Sequence, residues 1–110
     1  MESDSYKKCP VQRTLEAVGG KWKLLIIASI KSEEVVRFSV LNHLVTGISQ
    51  KVLAAQLKEL EADGFVLRTA YPEVPPRVEY SLTDLGKSLY PVLDSIADWA
   101  EANYPDKPPS

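Results

Sequence analysis

A chain of 110 residues and 12.2 kDa has room for one domain, and a hydrophobic content of 45% is that of a globular fold rather than a disordered segment. Thirteen basic against fifteen acidic side chains leave a net charge of −2, which excludes a histone-like coat of positive charge and confines any nucleic-acid contact to a local patch. No apolar run approaches the ~18 residues of a membrane span, the acidic, polar opening Met1–Ser5 is unlike a signal peptide, and a lone Cys9 cannot build a disulfide framework. These features together predict a cytoplasmic protein with no membrane partner.

The same counts bear on chemistry. One cysteine and one histidine cannot furnish the about four ligands of a Cys/His zinc site. The sequence has no G-x-S-x-G, no Walker loop and no G-x-G-x-x-G, and Gly19-Gly20, isolated between two apolar segments, reads as a helix break rather than a phosphate cradle. Neither a catalytic constellation nor a metal or cofactor site is expected, and the chain is not expected to be an enzyme.

In chain order, residues 1–8 read as a flexible tail, residues 9–104 as the domain and residues 105–110 as a second tail. Pro10 suits a helix start, because its missing N–H is not needed there, and the first helix runs Pro10–Val18. Lys21–Ile30 is densely apolar (Trp22, Leu24, Leu25, Ile26, Ile27, Ile30), so a second helix is expected to be central and buried. A polar turn at 31–34 leads to a short strand over Val35–Phe38. Ser39 is the expected N-cap of a third helix, Val40–Val45, with Phe38, Leu41 and Val45 on one side. After a break at Thr46-Gly47, Ser49 caps a fourth helix reaching Asp63, with Leu53, Leu57 and Leu60 as its apolar stripe and Gly64 as its C-terminal glycine. Two short amphipathic helices joined by a glycine-containing turn make a helix-turn-helix.

Phe65–Tyr71 has strand character, and Arg77–Leu82 alternates polar and apolar residues with period two. The prolines at 72, 75 and 76 between them cannot join a ladder and predict a protruding loop. A hairpin directly after a helix-turn-helix is a wing, so the fold class is mainly α with a small β-hairpin (α+β): a winged helix-turn-helix with additional N- and C-terminal dimerisation helices. Thr83 caps the last helix, which runs from Leu85 to Asn103 and is expected to bend at Pro91.

The acidic excess lies mostly at the end of the chain, where Lys87 and Lys107 face Asp84, Asp94, Asp98, Glu101 and Asp106. With Leu53 at the centre of the buried face, Lys51, Ala55, Lys58 and Ala62 of the fourth helix point outward and Ala54 is lateral. Its N-terminal half thus presents Ser49, Gln50 and Lys51 with small alanines behind. Gln pairs with adenine, Lys donates to guanine and Ala touches a thymine methyl, and recognition helices read bases from this end. An ordinary solvated helix face would carry a similar pattern.

Several blocks occur in fixed order: Cys9-Pro10, Gly19-Gly20-Lys21-Trp22, Arg37-Phe38, Gly47-Ile48-Ser49-Gln50-Lys51-Val52-Leu53, Leu57-x-x-Leu60-x-x-x-Gly64 and Pro75-Pro76-Arg77-Val78-Glu79-Tyr80-Ser81-Leu82-Thr83-x-x-Gly86. From Cys9 to about Trp99 the chain resembles the HxlR-type branch of the MarR-like winged-helix transcription regulators. The resemblance implies a small dimeric DNA-binding repressor or activator of the bacterial and archaeal type, some of whose members respond to oxidants or electrophiles through a cysteine near the N-terminus. One departure is visible: family members often carry glycine in the turn before Arg37-Phe38, where this chain has Glu33-Glu34.

The expected DNA-binding set is Ser49, Gln50, Lys51, Ala54, Ala55 and Lys58, with Arg77, Lys21 and Arg37 beside it. Two readings of Arg77 stand: a loop arginine paired with Glu73 or Glu79, or a wing arginine inserted into the minor groove, which the resemblance favours. Lys21 is either a solvated lysine or a phosphate contact at the start of the second helix. Val11, Leu15, Leu89, Val92, Ile96 and Trp99 exceed what one small core absorbs and are expected to pack across a two-fold axis. Cys9, between Lys7-Lys8 and a helix start, is either a small packed side chain or a redox-sensing thiol. The expected partners are double-stranded DNA with an inverted-repeat operator, a second copy of the chain, and a small oxidant or electrophile as effector. A winged-helix protein-interaction module that never touches DNA is the alternative, favoured by the acidic pI of about 5.4.

Overall fold

Across residues 8–106, the stretch described by the computed structural model, the chain runs α1 (Pro10–Val18), α2 (Lys23–Glu33), β1 (Val35–Arg37), α3 (Phe38–Leu44), α4 (Gln50–Ala62), β2 (Val66–Tyr71), β3 (Arg77–Leu82), α5 (Asp84–Lys87) and α6 (Tyr90–Asn103). The expected tails fall largely outside this stretch, since residues 1–7 and 107–110 are not among the described residues.

One apolar cluster organises these elements. Ile26, Ile27 and Ile30 of α2, Leu41 of α3 and Leu53, Leu57 and Leu60 of α4 are fully buried together. The threefold and fourfold spacing of the α4 leucines is what turns that helix's polar side outward. The sheet closes the cluster from one side through Val36, Val66, Tyr80 and Leu82. Its strand order is β1-β3-β2, with both neighbours antiparallel to β3, so the expected hairpin gains β1 as a third strand.

Several boundaries differ from expectation for local reasons. The second helix begins at Lys23, not Lys21, because residues 20–22 form a turn and Gly20 adopts φ 84°. The third helix begins at Phe38 and its N-cap is Arg37, not Ser39. The last helix is two helices. Gly86 N–H donates to the Thr83 hydroxyl at 3.1 Å and starts α5, but Leu89 N–H then bonds Gly86 in a tighter turn, and Pro91 has no N–H with which to continue the ladder. Pro91 instead sits in the first turn of α6, where no donor is required, so it starts a helix rather than bending one.

The C-terminal end of α4 is a Schellman turn, in which Phe65 N–H reaches the Leu60 carbonyl at 2.9 Å and Gly64 N–H the Glu61 carbonyl at 3.1 Å. Gly64 holds φ 85° there, a region that L-residues with a Cβ avoid. Thr83 N–H bonds the Phe65 carbonyl at 3.1 Å, which fastens the end of β3 to the beginning of β2.

The turn after α2 carries the departure noted in the sequence. Glu34 is the only non-glycine residue with positive φ among the described residues, at φ 65° and ψ −54°, while its N–H holds the Ile30 carbonyl at 2.7 Å. A side chain in this region costs on the order of 1 kcal/mol that glycine avoids. Glu34→Gly is therefore expected to raise unfolding stability by about 1 kcal/mol, measured as a higher denaturant midpoint at unchanged slope; an unchanged or lower midpoint contradicts the strain.

Candidate nucleic-acid interface

The interface is built around α4. Ser49 is its N-cap, with the hydroxyl accepting from Val52 N–H at 3.1 Å. The turn before it bends at Gly47, which adopts φ 88°. Asn42 of α3, half-buried, donates its side-chain amide to the Ile48 carbonyl at 3.1 Å and so locks the angle between the two helices. On the other side, Lys23 of α2, only 14% exposed, reaches Glu59 at 2.7 Å and ties α4 to the buried helix behind it. Neither Asn42 nor the Lys23–Glu59 pair was singled out from sequence. Both signals exist only in three dimensions, because each residue looks like ordinary helix-surface polarity until its partner is placed.

With the helix held in this way, Gln50, Lys51, Ala54, Ala55 and Lys58 are all exposed on it, while Leu53, Leu57 and Leu60 are buried. The acidic Glu59, Glu61 and Asp63 follow toward the C-terminal end. No carboxylate lies within ion-pairing distance of Lys51 or Lys58 among the described residues.

The remaining expected contacts sit elsewhere. Arg77 is held by Glu73 at 2.9 Å and Glu79 at 3.3 Å, and its guanidinium lies 4.0 Å from the centre of the Tyr71 ring. Its Nε is buried and has no partner among the described residues. Arg37 is exposed at the end of β1, cross-strand from Glu79. Lys21 is exposed in the turn before α2 rather than in its first turn, with its ammonium 4.6 Å above the Trp22 ring. Arg68 of β2, exposed and absent from the expected set, borders a groove of about 300 Å³ together with Ala54 and Lys58 of α4.

Away from α4, Val11 and Leu15 of α1 and Val92, Ile96 and Trp99 of α6 are exposed, Trp99 at 64%. Leu89 is not part of that stripe: the break between α5 and α6 turns it inward, half-buried against the core. Cys9 is the N-cap of α1 and exposed, and its Sγ accepts from Gln12 N–H at 3.4 Å. Lys8 beside it pairs with Glu16 at 2.7 Å; Lys7 lies outside the described residues.

A family model described as HxlR-like helix-turn-helix matches residues 17–108. The chain belongs to this family. Among the relatives of this HxlR-like protein, an HTH-type transcriptional regulator of Halalkalibacterium halodurans is 47% identical over 94 residues, 86% of this chain and 83% of that one. The HTH-type regulator YdeP of Bacillus subtilis is 44% identical over 106 residues, 96% of this chain and 80% of that one. Similar solved structures include the redox regulator HypR in its oxidized form, with TM-score 0.79 and 43% identity, covering 86% of this chain and 97% of that one. The reduced form of the transcriptional regulator YodB from B. subtilis aligns with TM-score 0.75 and 34% identity over 92% of this chain and all of that one. This HxlR-like chain is thus a DNA-binding transcriptional regulator with the winged-helix fold of its relatives, a class of proteins that are not enzymes. Among the described residues, no helix is long and apolar enough to cross a membrane.

Ser49 has a structural duty before any contact with DNA. Ser49→Ala is expected to lower unfolding stability by about 1 kcal/mol through loss of the cap, and Ser49→Asp to restore it. Equal unfolding midpoints for wild type and Ser49→Ala would contradict the capping role.

Proposed function

We propose that this HxlR-like regulator works in the cytoplasm as a homodimer that reads an inverted-repeat operator through two copies of α4, and that Cys9 is the thiol through which oxidants or electrophiles adjust that binding. The observation that carries the DNA reading is the exposed line on α4, where Gln50 and Lys51 lead from the capped N-terminus and Ala54, Ala55 and Lys58 follow. Small side chains let the helix approach base edges, and the two polar residues at its start have the chemistry to read them. Lys21 and Arg37, both exposed, are assigned to the flanking backbone.

Dimerisation is supported by the unpartnered apolar stripe. Val92, Ile96 and Trp99 follow one another at helical spacing along α6, and Val11 and Leu15 do the same on α1. A single recognition helix gives a short reading head, and a two-fold axis doubles it, with half-sites about 10–10.5 bp apart or a multiple of that. Wild-type protein is expected to sediment as a dimer at micromolar concentration and to bind its operator in a salt-dependent manner. Ile96→Asp should shift it to monomer, and Gln50→Ala or Lys51→Ala should weaken specific binding by roughly 1–3 kcal/mol while leaving the dimer intact. A monomeric wild type removes the dimer reading; absence of salt-dependent binding to DNA turns the reading to a protein-interaction module.

The sensing role draws on three facts: Cys9 is exposed, it sits at a helix start, and the similar structures include a protein described as a redox regulator. As the only cysteine, its oxidised forms are a bridge to the partner's thiol, a mixed disulfide or an adduct. Diamide or a quinone is expected to weaken operator binding of wild type in a gel shift and to leave Cys9→Ser unaffected. Identical responses of the two proteins, or none in either, make Cys9 structural.

A further inference from the structure

Resting on the DNA-binding reading above, we propose that Arg68, and not Arg77, supplies the wing's contact to the DNA phosphates, and that Arg77 is a positioning residue that holds the wing in shape. Antiparallel pairing sends alternate residues of β2 and β3 to opposite faces. Val66, Arg68 and Ala70 pair with Leu82, Tyr80 and Val78 and share the face turned to the helices, where Val66, Tyr80 and Leu82 are buried. Thr69 and Tyr71 pair with Glu79 and Arg77 and share the other face. The two arginines therefore leave the hairpin on opposite sides.

Their surroundings differ as much as their directions. Arg77 has a carboxylate on each terminal nitrogen, Glu73 and Glu79, and the Tyr71 ring on one face of its plane. The three charges sum to −1, so a phosphate approaching Arg77 meets net repulsion, and engaging it requires both carboxylates to be displaced. The fork and the stacked ring close the hairpin at the register pair Tyr71–Arg77, where the proline-containing loop begins. Arg68 is exposed, has no carboxylate within ion-pairing distance among the described residues, and borders a groove with Ala54, Lys58 and Glu61 of α4. It thus stands beside the reading face of α4 with Lys58, where a helix seated in the major groove brings the flanking phosphates.

Salt dependence separates the two roles, because each phosphate neutralised by a cation contributes about 0.9 to the slope of log K against log salt. Binding to mixed-sequence duplex DNA is followed by fluorescence anisotropy across a salt series, and hydrogen exchange of residues 66–82 is measured alongside. Arg68→Ala should reduce the magnitude of the slope by about 1.8 in a dimer, leave hairpin exchange unchanged, and be largely rescued by Arg68→Lys. Arg77→Ala should leave the slope unchanged and speed exchange in the hairpin, and Arg77→Lys should not rescue it, because an ammonium has neither the fork nor the planar face. An unchanged slope in Arg68→Ala, or a reduced slope in Arg77→Ala with quiet hairpin exchange, overturns the assignment while DNA binding itself stands. A wild type with no salt-dependent binding overturns the DNA reading and this assignment with it.

Discussion

Everything at the proposed interface depends on the burial of Leu53, Leu57 and Leu60 in one core with Ile26, Ile27 and Ile30. A helix has one free rotation about its own axis, and the leucine stripe removes it. Once those three side chains are buried, Lys51, Ala55 and Lys58 have to face outward with Ala54 beside them, while Gln50, on the leucine side of the helix, is exposed because it is the first residue of α4. Burying a leucine is worth roughly 1.5–3 kcal/mol, whereas an exposed ion pair is worth about 0–1 kcal/mol. The apolar stripe therefore sets the rotation of α4, and the Lys23–Glu59 pair only steadies it. The polar residues are then placed by side chains that never approach a nucleic acid.

The same contrast explains what was legible in the sequence. Elements set by apolar periodicity or by a cap were readable within a residue or two: α1, α4 with its Ser49 cap, and the two strands of the wing. The outward set on α4 followed from the position of Leu53 alone. What periodicity could not supply was the partner of each polar residue. Arg77 had two readings in sequence; Glu79 at i+2 on the same strand and Glu73 at i−4 in the loop were both visible as partners, but their joint engagement and the Tyr71 ring brought over by the register of β2 against β3 were not. Arg68 was passed over for the same reason, since its neighbour Lys58 is ten residues away and becomes adjacent only when β2 packs on α4. Pro91 shows a different limit. Pro is compatible with both a kink and a helix start, and the choice was made by the tight turn at Leu89.

Charge is distributed in a way that reconciles the acidic total with a DNA-binding surface. Asp94, Asp98 and Glu101 are exposed on α6, the helix that also carries the apolar stripe, and Lys31 of α2 neutralises Asp94 at 2.9 Å. Lys51, Lys58 and Arg68 have no carboxylate in contact among the described residues. Net charge is a sum over the whole surface, but screening limits each phosphate to charges within about a Debye length, ~8 Å at physiological salt. Local arrangement therefore governs binding, and the acidic end of the chain adds solubility and orientation more than repulsion.

The apolar helices bear on how a thiol could govern a distant helix. The radius of gyration is 16.4 Å, against about 13 Å for a compact domain of this size, so part of the chain stands away from the core. α1 joins the core only at its end, through Val18 with Ala17 beside it, while Val11 and Leu15 remain exposed. A helix anchored at one end has its direction set by whatever covers its other face, and in a two-fold dimer that is the partner. Cys9 lies at the unanchored end of this helix, where a small covalent change acts with the least resistance from the core. The anchored end leads through the turn at 19–22 into α2, whose buried isoleucines share a core with the leucines of α4. In the proposed sensing role, a close-packed core would transmit a change in α1 as a rigid-body movement of the winged unit rather than as a softening of α4. In the proposed dimer, the quantity that chemistry at Cys9 would alter is then the spacing between two intact recognition helices, to which an inverted repeat of fixed period is most sensitive.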